Sequence, residues 1–283
     1  MDLKRISASA KNTWCPGCGN FSILNTVKTV IGSIVDGGVP LEKIIMVDGI
    51  GCHGKIADYI NINSFYGLHG RSVPVATAIK IAKPDCKVLV FAGDGDAYGE
   101  GLEHLLFAAK RNCDITMIVH NNRVYGLTTG QSSPTSPQGH KGRSTPFGQH
   151  EQPFNPLELA LAAGASFVAR GYSNSMDELK KIITDAVNHP GFALVDVLQV
   201  CATFFNRYDV YNKQVYELKD HDAGNRDAAV VKAREWNYDT ESPIALGIFY
   251  KQIRETFERS FPMPPETPQP RIDSIKKILQ KFV

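Results

Sequence analysis

The chain has 283 residues, 43% hydrophobic and 21% charged, enough apolar material for one large domain or two modest ones, which excludes disorder as the main state. Lys and Arg total 31 against 29 Asp and Glu, a formal charge of +2, so neither nucleic acid nor a membrane is expected as the main partner. The longest wholly apolar stretches, such as 88–92, are far below the roughly 18 residues of a spanning helix, and MDLKRISASAKNTWC lacks the apolar core of a signal peptide; a soluble, cytoplasmic protein is expected, with its six cysteines serving as metal ligands, redox groups or buried thiols.

Helical spacing over 21–35 is followed by an apolar, β-branched run at 43–47. The alternation repeats: helix 75–82, strand 87–91, helix 102–110, strand 115–119, helices 156–163 and 176–188, strand 193–198. Buried strands separated by helices predict an α/β fold with a doubly wound, mostly parallel sheet. Residues 123–155, rich in Gly, Ser, Thr, Pro and Gln, are too long for a simple connector and read as a functional loop. After Cys201 the alternation is expected to stop, so the chain divides into an α/β domain over 1–204 and a C-terminal arm or cap over 205–283, with helices near 243–257 and 272–282 flanking PMPPETPQP.

Ligands of such sheets bind beyond the carboxyl ends of the strands. There the chain places Asp48-Gly49-Ile50-Gly51-Cys52-His53-Gly54, then Gly93-Asp94-Gly95-Asp96, then His120-Asn121-Asn122. Three strand ends with glycine, carboxylate, amide and thiol suggest one composite site. Mg²⁺ takes oxygen ligands, commonly one or two from protein beside substrate phosphates, and Asp94 with Asn122 fits that need. Glycines let backbone approach a diphosphate. Read singly, GDGD and NN are ordinary turns; together, each behind a buried strand, they favour the site.

Cys15-Pro16-Gly17-Cys18 is a CxxC preceded by only a short polar segment, unlike a thioredoxin motif. With Cys52 and Cys201 it could supply four thiolates to zinc or to a [4Fe–4S] cluster, and composition does not separate the two. Gly49 to Gly54 also satisfies G-x-G-x-x-G behind a strand, but a nicotinamide site needs an acidic residue about 20 positions on, and none lies between Asp58 and Asp85.

GDG followed after some 25 to 30 residues by NN is similar to the thiamine diphosphate motif. CPGCG, GIGC, HGR, GDGDAYGEGLEH, NNRVYGLTTGQ and a late CATF, in that order over roughly 12–206, resemble the β subunits of 2-oxoacid:ferredoxin oxidoreductases. The resemblance implies Mg²⁺ bound by Asp94, Asn122 and the carbonyl of Val124, with Gly93, Gly95, Asp96, Gly126 and Leu127 around the diphosphate. It implies a [4Fe–4S] cluster on Cys15, Cys18, Cys52 and Cys201, while Cys86 and Cys113 match no ligand position and read as packing residues. Ile50, Gly51, Cys52 and His53 would line the cofactor, His69 would approach it, and Lys55 could meet a second substrate carboxylate. Tyr125 and 128–131 fall in the loop expected to cover the substrate.

The activity implied is thiamine diphosphate- and coenzyme A-dependent oxidative decarboxylation of a 2-oxo acid, reversible, with electrons passing through the cluster to ferredoxin. GIGCHGK and YGLTTGQ look closer to 2-oxoglutarate members than to pyruvate members. One α/β unit lacks the pyrimidine-binding half of such enzymes, so an α subunit is expected as partner, with γ or δ subunits as further candidates. The competing readings are a pyruvate enzyme, a cluster-free thiamine decarboxylase and a non-catalytic zinc-binding scaffold.

Overall fold

The runs V-L-V-F-A and A-L-V-D-V-L have no polar face, and a strand of that kind is stable only between two covering layers. The computed structural model, which describes residues 1–239, 241–262 and 268–281, provides both layers. In chain order the elements are α1 (Asn20–Asp36), β1 (Ile44–Asp48), β2 (Asn63–Tyr66), α2 (Ser72–Ala82), β3 (Lys87–Gly93), α3 (Leu102–Arg111) and β4 (Thr116–Asn121). There follow β5 (Val124–Tyr125), β6 (Gln131–Ser132), α4 (Pro156–Ala162), β7 (Phe167–Tyr172), α5 (Met176–Asn188) and β8 (Ala193–Leu198). The chain continues through α6 (Tyr208–Gln214), β9 (Val215–Glu217), α7 (Arg226–Ala233), β10 (Ile244–Lys251) and α8 (Pro268–Leu279).

Eight strands form one sheet in the order β2-β1-β3-β4-β8-β7-β10-β9, parallel from β2 to β7 and antiparallel between β7 and β10. The period-2 alternation of β3 divides the core. Val88, Val90 and Ala92 pack with α2, α3 and α4, whereas Leu89 and Phe91 pack with α1 and α5 on the other face. The doubly wound α/β class inferred from the sequence is thus the observed one. Among the described residues no helix is long and apolar enough to cross a membrane.

Two expectations are corrected. Residues 243–257 are not a helix: 244–251 form β10, where Ile, Phe and Tyr suit a pleated, buried strand and Gly247 takes φ +135. Nor does the alternation end at Cys201, since β9, α7 and β10 form a further parallel crossover that extends the sheet. The helix expected over 272–282 is seen as α8, with residue 282 outside the described residues, as is most of the proline-rich 262–270.

Beneath β7 and β8, Ser166 Oγ lies 2.8 Å from His189 Nε2 and donates to Asn112 Oδ1 at 2.5 Å. Burial pushes the His189 imidazole down from 6.5 to about 4. A neutral folded histidine that is protonated near 6.5 when unfolded keeps its full contribution above that pH and loses it as pH falls toward 4, by up to about 3 kcal/mol. Thermal melts from pH 7 to pH 4.5 should show declining stability, and His189→Gln should flatten that decline; parallel profiles would remove His189 as a cause.

Candidate active site

The carboxyl ends of β1, β3, β4 and β8 all open at one edge of the sheet. There the chain leaves β1 through a 3₁₀ turn at His53–Asp58, leaves β3 at Asp94 into a π-type turn over Gly95–Glu100, and leaves β4 at Asn121-Asn122. They border a cleft lined by Ile50, Gly51, Cys52, His53, His69, Gly93, Asp94, Gly95, Asp96, Asn122, Val124, Tyr125, Gly126, Leu127 and Thr128. Every residue expected around the cofactor and its metal is in that wall. Close approach explains the glycine at 93: a Cβ there would sit 2.8 Å from His53 Nδ1.

Asp94 is buried, and both Ser133 Oγ and Thr135 Oγ1 donate to its Oδ2, the latter at 2.8 Å. Burial pushes its carboxyl up to about 6 in spite of these hydrogen bonds. A sealed carboxylate of this kind gains from a cation. Asn122 accepts the Val124 amide at Oδ1 (3.0 Å) and donates through Nδ2 to Gln199 Oε1 (3.0 Å). One carboxylate and one amide oxygen, with the Val124 backbone beside them, form an all-oxygen set that fits a hard ion such as Mg²⁺.

Behind this wall lies a second buried carboxylate. Asp196, on β8, accepts from Tyr98 OH (2.8 Å), Asn121 Nδ2 (3.0 Å) and Tyr238 OH (2.7 Å). Arg170 is its register partner on β7, with its guanidinium 5.1 Å from the Trp236 ring, 5.3 Å from Tyr238 and 5.3 Å from Phe249. Arg123, at φ +62, donates to the Thr135 carbonyl (2.8 Å) and to the Tyr238 carbonyl. Thr135 therefore links the loop after β6, the Asp94 carboxylate and, through Asn121, the Asp196 cluster, since its hydroxyl also lies 2.9 Å from Asn121 Oδ1.

At the mouth of the cleft His69 Nδ1 is 2.7 Å from Asp96 Oδ1 and 3.5 Å from Glu100 Oε2. The bond to Asp96 raises the His69 pKa. His53 faces the same carboxylate at 3.7 Å, yet burial drives its imidazole down to about 4. One histidine thus favours the charged form and the other the neutral form across a single aspartate.

Cys15, Cys18, Cys52 and Cys201 line one adjoining cavity together with Lys55 and Gln199. Glycine brings the CxxC turn close to β8: Gly17 takes φ +75, and the Gly19 amide donates to the Val200 carbonyl at 3.1 Å. Trp14 Nε1 donates to the Cys52 carbonyl at 2.6 Å. Burial, then the neighbouring Cys201, Cys52 and Cys15 sulfurs, push the Cys18 thiol up to about 12. Four thiolates in this space need a compensating positive centre. Among the described residues no three His, Cys, Asp or Glu side chains come close enough for a single ion. A cubane is larger than an ion and takes its thiolates at wider separation, which fits four cysteines arranged around a cavity.

The two cavities share Cys52, Asn122 and Gly126. A Cβ on Gly126 would lie 3.6 Å from the Cys52 sulfur and 3.7 Å from the Cys201 sulfur, which places this residue beside both cysteines. Lys55 lines the cysteine cavity and not the cleft, and its charge draws the Cys52 thiol down against burial. Cys86 and Cys113 are buried in the core behind α2 and α3. Sequence reasoning missed Ser133, Thr135, Asp196, Arg170, Tyr238 and Gln199. Only Gln199 carried a legible signal, its place directly after the 193–198 strand.

Comparison with known proteins gives a consistent result. The thiamine pyrophosphate enzyme, C-terminal TPP binding domain family matches residues 49–197, and the family of the C-terminal region of the pyruvate ferredoxin oxidoreductase beta chain matches 201–264. 2-oxoacid:ferredoxin oxidoreductase 1, subunit beta, of Aeropyrum pernix is 40% identical over 260 residues, covering 87% of this chain and 80% of that one. 2-oxoglutarate synthase subunit KorB of Archaeoglobus fulgidus is 36% identical over 244 residues, covering 86% of each. A solved structure of 2-oxoglutarate:ferredoxin oxidoreductase from Magnetococcus marinus, with 2-oxoglutarate, coenzyme A and succinyl-CoA bound, aligns with TM-score 0.87 at 32% identity over 97% of this chain and 96% of that one.

Proposed function

The chain belongs to the β subunits of the 2-oxoacid:ferredoxin oxidoreductases, and on that premise we propose that its cleft binds thiamine diphosphate with Mg²⁺ and its cysteine cavity a [4Fe–4S] cluster. The reaction proposed is the reversible, coenzyme A-dependent oxidative decarboxylation of a 2-oxo acid, 2-oxoglutarate by preference, with ferredoxin as electron acceptor. The observation that carries it is the shared wall: Cys52, Asn122 and Gly126 border both cavities, so a metal-held diphosphate and a thiolate-held cluster would be neighbours.

Thiamine diphosphate supplies, when bound, the carbon nucleophile and electron sink, and the cluster a one-electron relay. Asp94, Asn122 and the Val124 carbonyl are proposed as the Mg²⁺ ligands, and Cys15, Cys18, Cys52 and Cys201 as the cluster ligands. Gly93 and Gly95 leave room for the diphosphate. His53, whose imidazole burial drives down to about 4, presents an uncharged face to the cleft, while His69, whose pKa is raised by Asp96, is proposed as the proton donor at its mouth. Lys55 sits beside the proposed cluster, where a fixed positive charge favours the thiolate form of Cys52 and electron uptake. As a β subunit the chain works with partner subunits; an α subunit is proposed to bring the pyrimidine-binding half. Residues 1–204 are proposed as the cofactor-binding unit, and the segment after them as an extension that adds β10 and β9 to its sheet and packs Trp236 and Tyr238 behind the site. The setting proposed is the cytoplasm.

The pyruvate alternative has one specific support, the family match over 201–264. Steady-state rates of the assembled complex with 2-oxoglutarate, pyruvate and branched oxoacids separate the two, and 2-oxoglutarate is expected to be turned over fastest. Anaerobically purified protein should be brown, with about four irons per chain; a colourless protein would remove the cluster.

A further inference from the structure

Gln199 stands between the two cavities. It follows β8 directly, is 1% exposed, and has every polar group of its side chain engaged. Oε1 accepts from Asn122 Nδ2 at 3.0 Å, and Nε2 donates to the Val200 carbonyl at 2.7 Å and to the Cys18 sulfur at 3.5 Å. An amide carries its acceptor and its two donor hydrogens on different atoms. By engaging Asn122 Nδ2, Gln199 turns Asn122 Oδ1 away from itself and toward the Val124 amide, 3.0 Å off, which is the side on which Asn122 and Val124 both line the cleft. At its other end an N–H directed at a cysteine sulfur stabilises negative charge there, and hydrogen bonds to ligand sulfurs help to set the reduction potential of a cluster.

We infer that Gln199 is a positioning residue serving both centres: it holds the Asn122 amide with its oxygen presented to Mg²⁺, and it raises the reduction potential of the cluster by donating to Cys18. One side chain thereby ties the binding of the diphosphate to the electron affinity of its acceptor. The inference rests on the function proposed above.

The test uses the assembled complex, stripped of thiamine diphosphate for the binding measurements. With Gln199→Met, the Mg²⁺ concentration giving half-maximal thiamine diphosphate binding by calorimetry should rise about 10-fold. The cluster midpoint, followed by electron paramagnetic resonance during a redox titration, should move to more negative potential. Gln199→Glu keeps an acceptor for Asn122 Nδ2 but loses the donor to Cys18, so it should shift the midpoint and leave the Mg²⁺ requirement near the parental value. That isosteric variant keeps the test open if Gln199→Met fails to assemble. Ile183→Val in α5 supplies a loosened core at a residue that lines neither cavity, and equal changes in that variant would overturn the inference. So would parental values in Gln199→Met, or movement of only one of the two quantities in that variant. A parent complex that binds thiamine diphosphate without regard to Mg²⁺, or that carries no cluster signal, overturns the proposed function itself and is recognisable before any Gln199 variant is made.

Discussion

Cys201→Ser in the assembled enzyme is expected to lower 2-oxo acid-dependent reduction of a viologen dye by at least about 100-fold and to strip iron from the protein. Cys201 meets its partners across the whole fold: Cys15 and Cys18 precede α1, Cys52 follows β1, and Cys201 lies three residues beyond β8. All four line one cavity, so none has a substitute. Its sulfur accepts the Phe204 amide at 3.4 Å, which fixes its direction. Serine keeps the shape but is a far poorer ligand for soft iron. Cys86→Ser is the control, since Cys86 lies in the α2–α3 core layer and should leave electron transfer intact. Retention of the dye-coupled rate in Cys201→Ser, with iron unchanged, would show that electrons do not pass through this cavity, as expected of a cluster-free decarboxylase.

Arg170→Met is expected to destabilise the chain by on the order of 3–5 kcal/mol, because it removes the buried guanidinium that donates to Tyr238 OH at 3.4 Å and offsets the Asp196 charge. Arg170 is 1% exposed and Asp196 0%, and burial raises the Asp196 pKa while Arg170 opposes the shift. Without the guanidinium, Asp196 either takes up a proton, which weakens the bonds from Tyr98, Tyr238 and Asn121, or stays charged at the full cost of burying an uncompensated carboxylate. A fall of about 10 °C in melting temperature follows for a chain of this size. Asp196→Asn added to Arg170→Met should recover part of the loss, because no unpaired charge then remains. A single variant within about 1 kcal/mol of the parent would mean that the aromatic rings, and not the charge balance between Arg170 and Asp196, hold the region.

The core of the fold was legible because β1, β3, β4 and β8 are continuous apolar runs and α1 to α5 carry clear helical spacing. What escaped did so for physical reasons. β2, Asn-Ser-Phe-Tyr, is an exposed edge strand with no buried face to impose alternation. β7 hides behind Arg170 and Gly171, and its arginine is tolerated only because Asp196 is its neighbour in the next strand. β10 carries enough Leu and Ala to resemble a helix, and its pairing with β7 decides the matter. The same division holds at the site. Groups at strand ends could be inferred from order alone, whereas the grouping of Cys15, Cys18, Cys52 and Cys201 came from the family resemblance, and all four line one cavity. Ser133 and Thr135 could not, because a 33-residue polar loop gives no indication of which hydroxyl folds back onto Asp94. Lys55 marks the limit: its place just after Cys52 was visible, but not the turn that aims it at the sulfurs.

Tyr238 donates to Asp196 and accepts from Arg123 through its carbonyl, and β10, only a few positions later, borders β7. During synthesis the first cysteine pair leaves the ribosome more than two hundred residues before Tyr238 does. A nascent chain therefore holds Arg170 and Asp196 open to water until residues 236–238 emerge and this last aromatic layer closes over them. A stall before residue 238 leaves the Asp196 carboxylate without its Tyr238 donor and the Arg170 guanidinium without the Trp236 and Tyr238 rings.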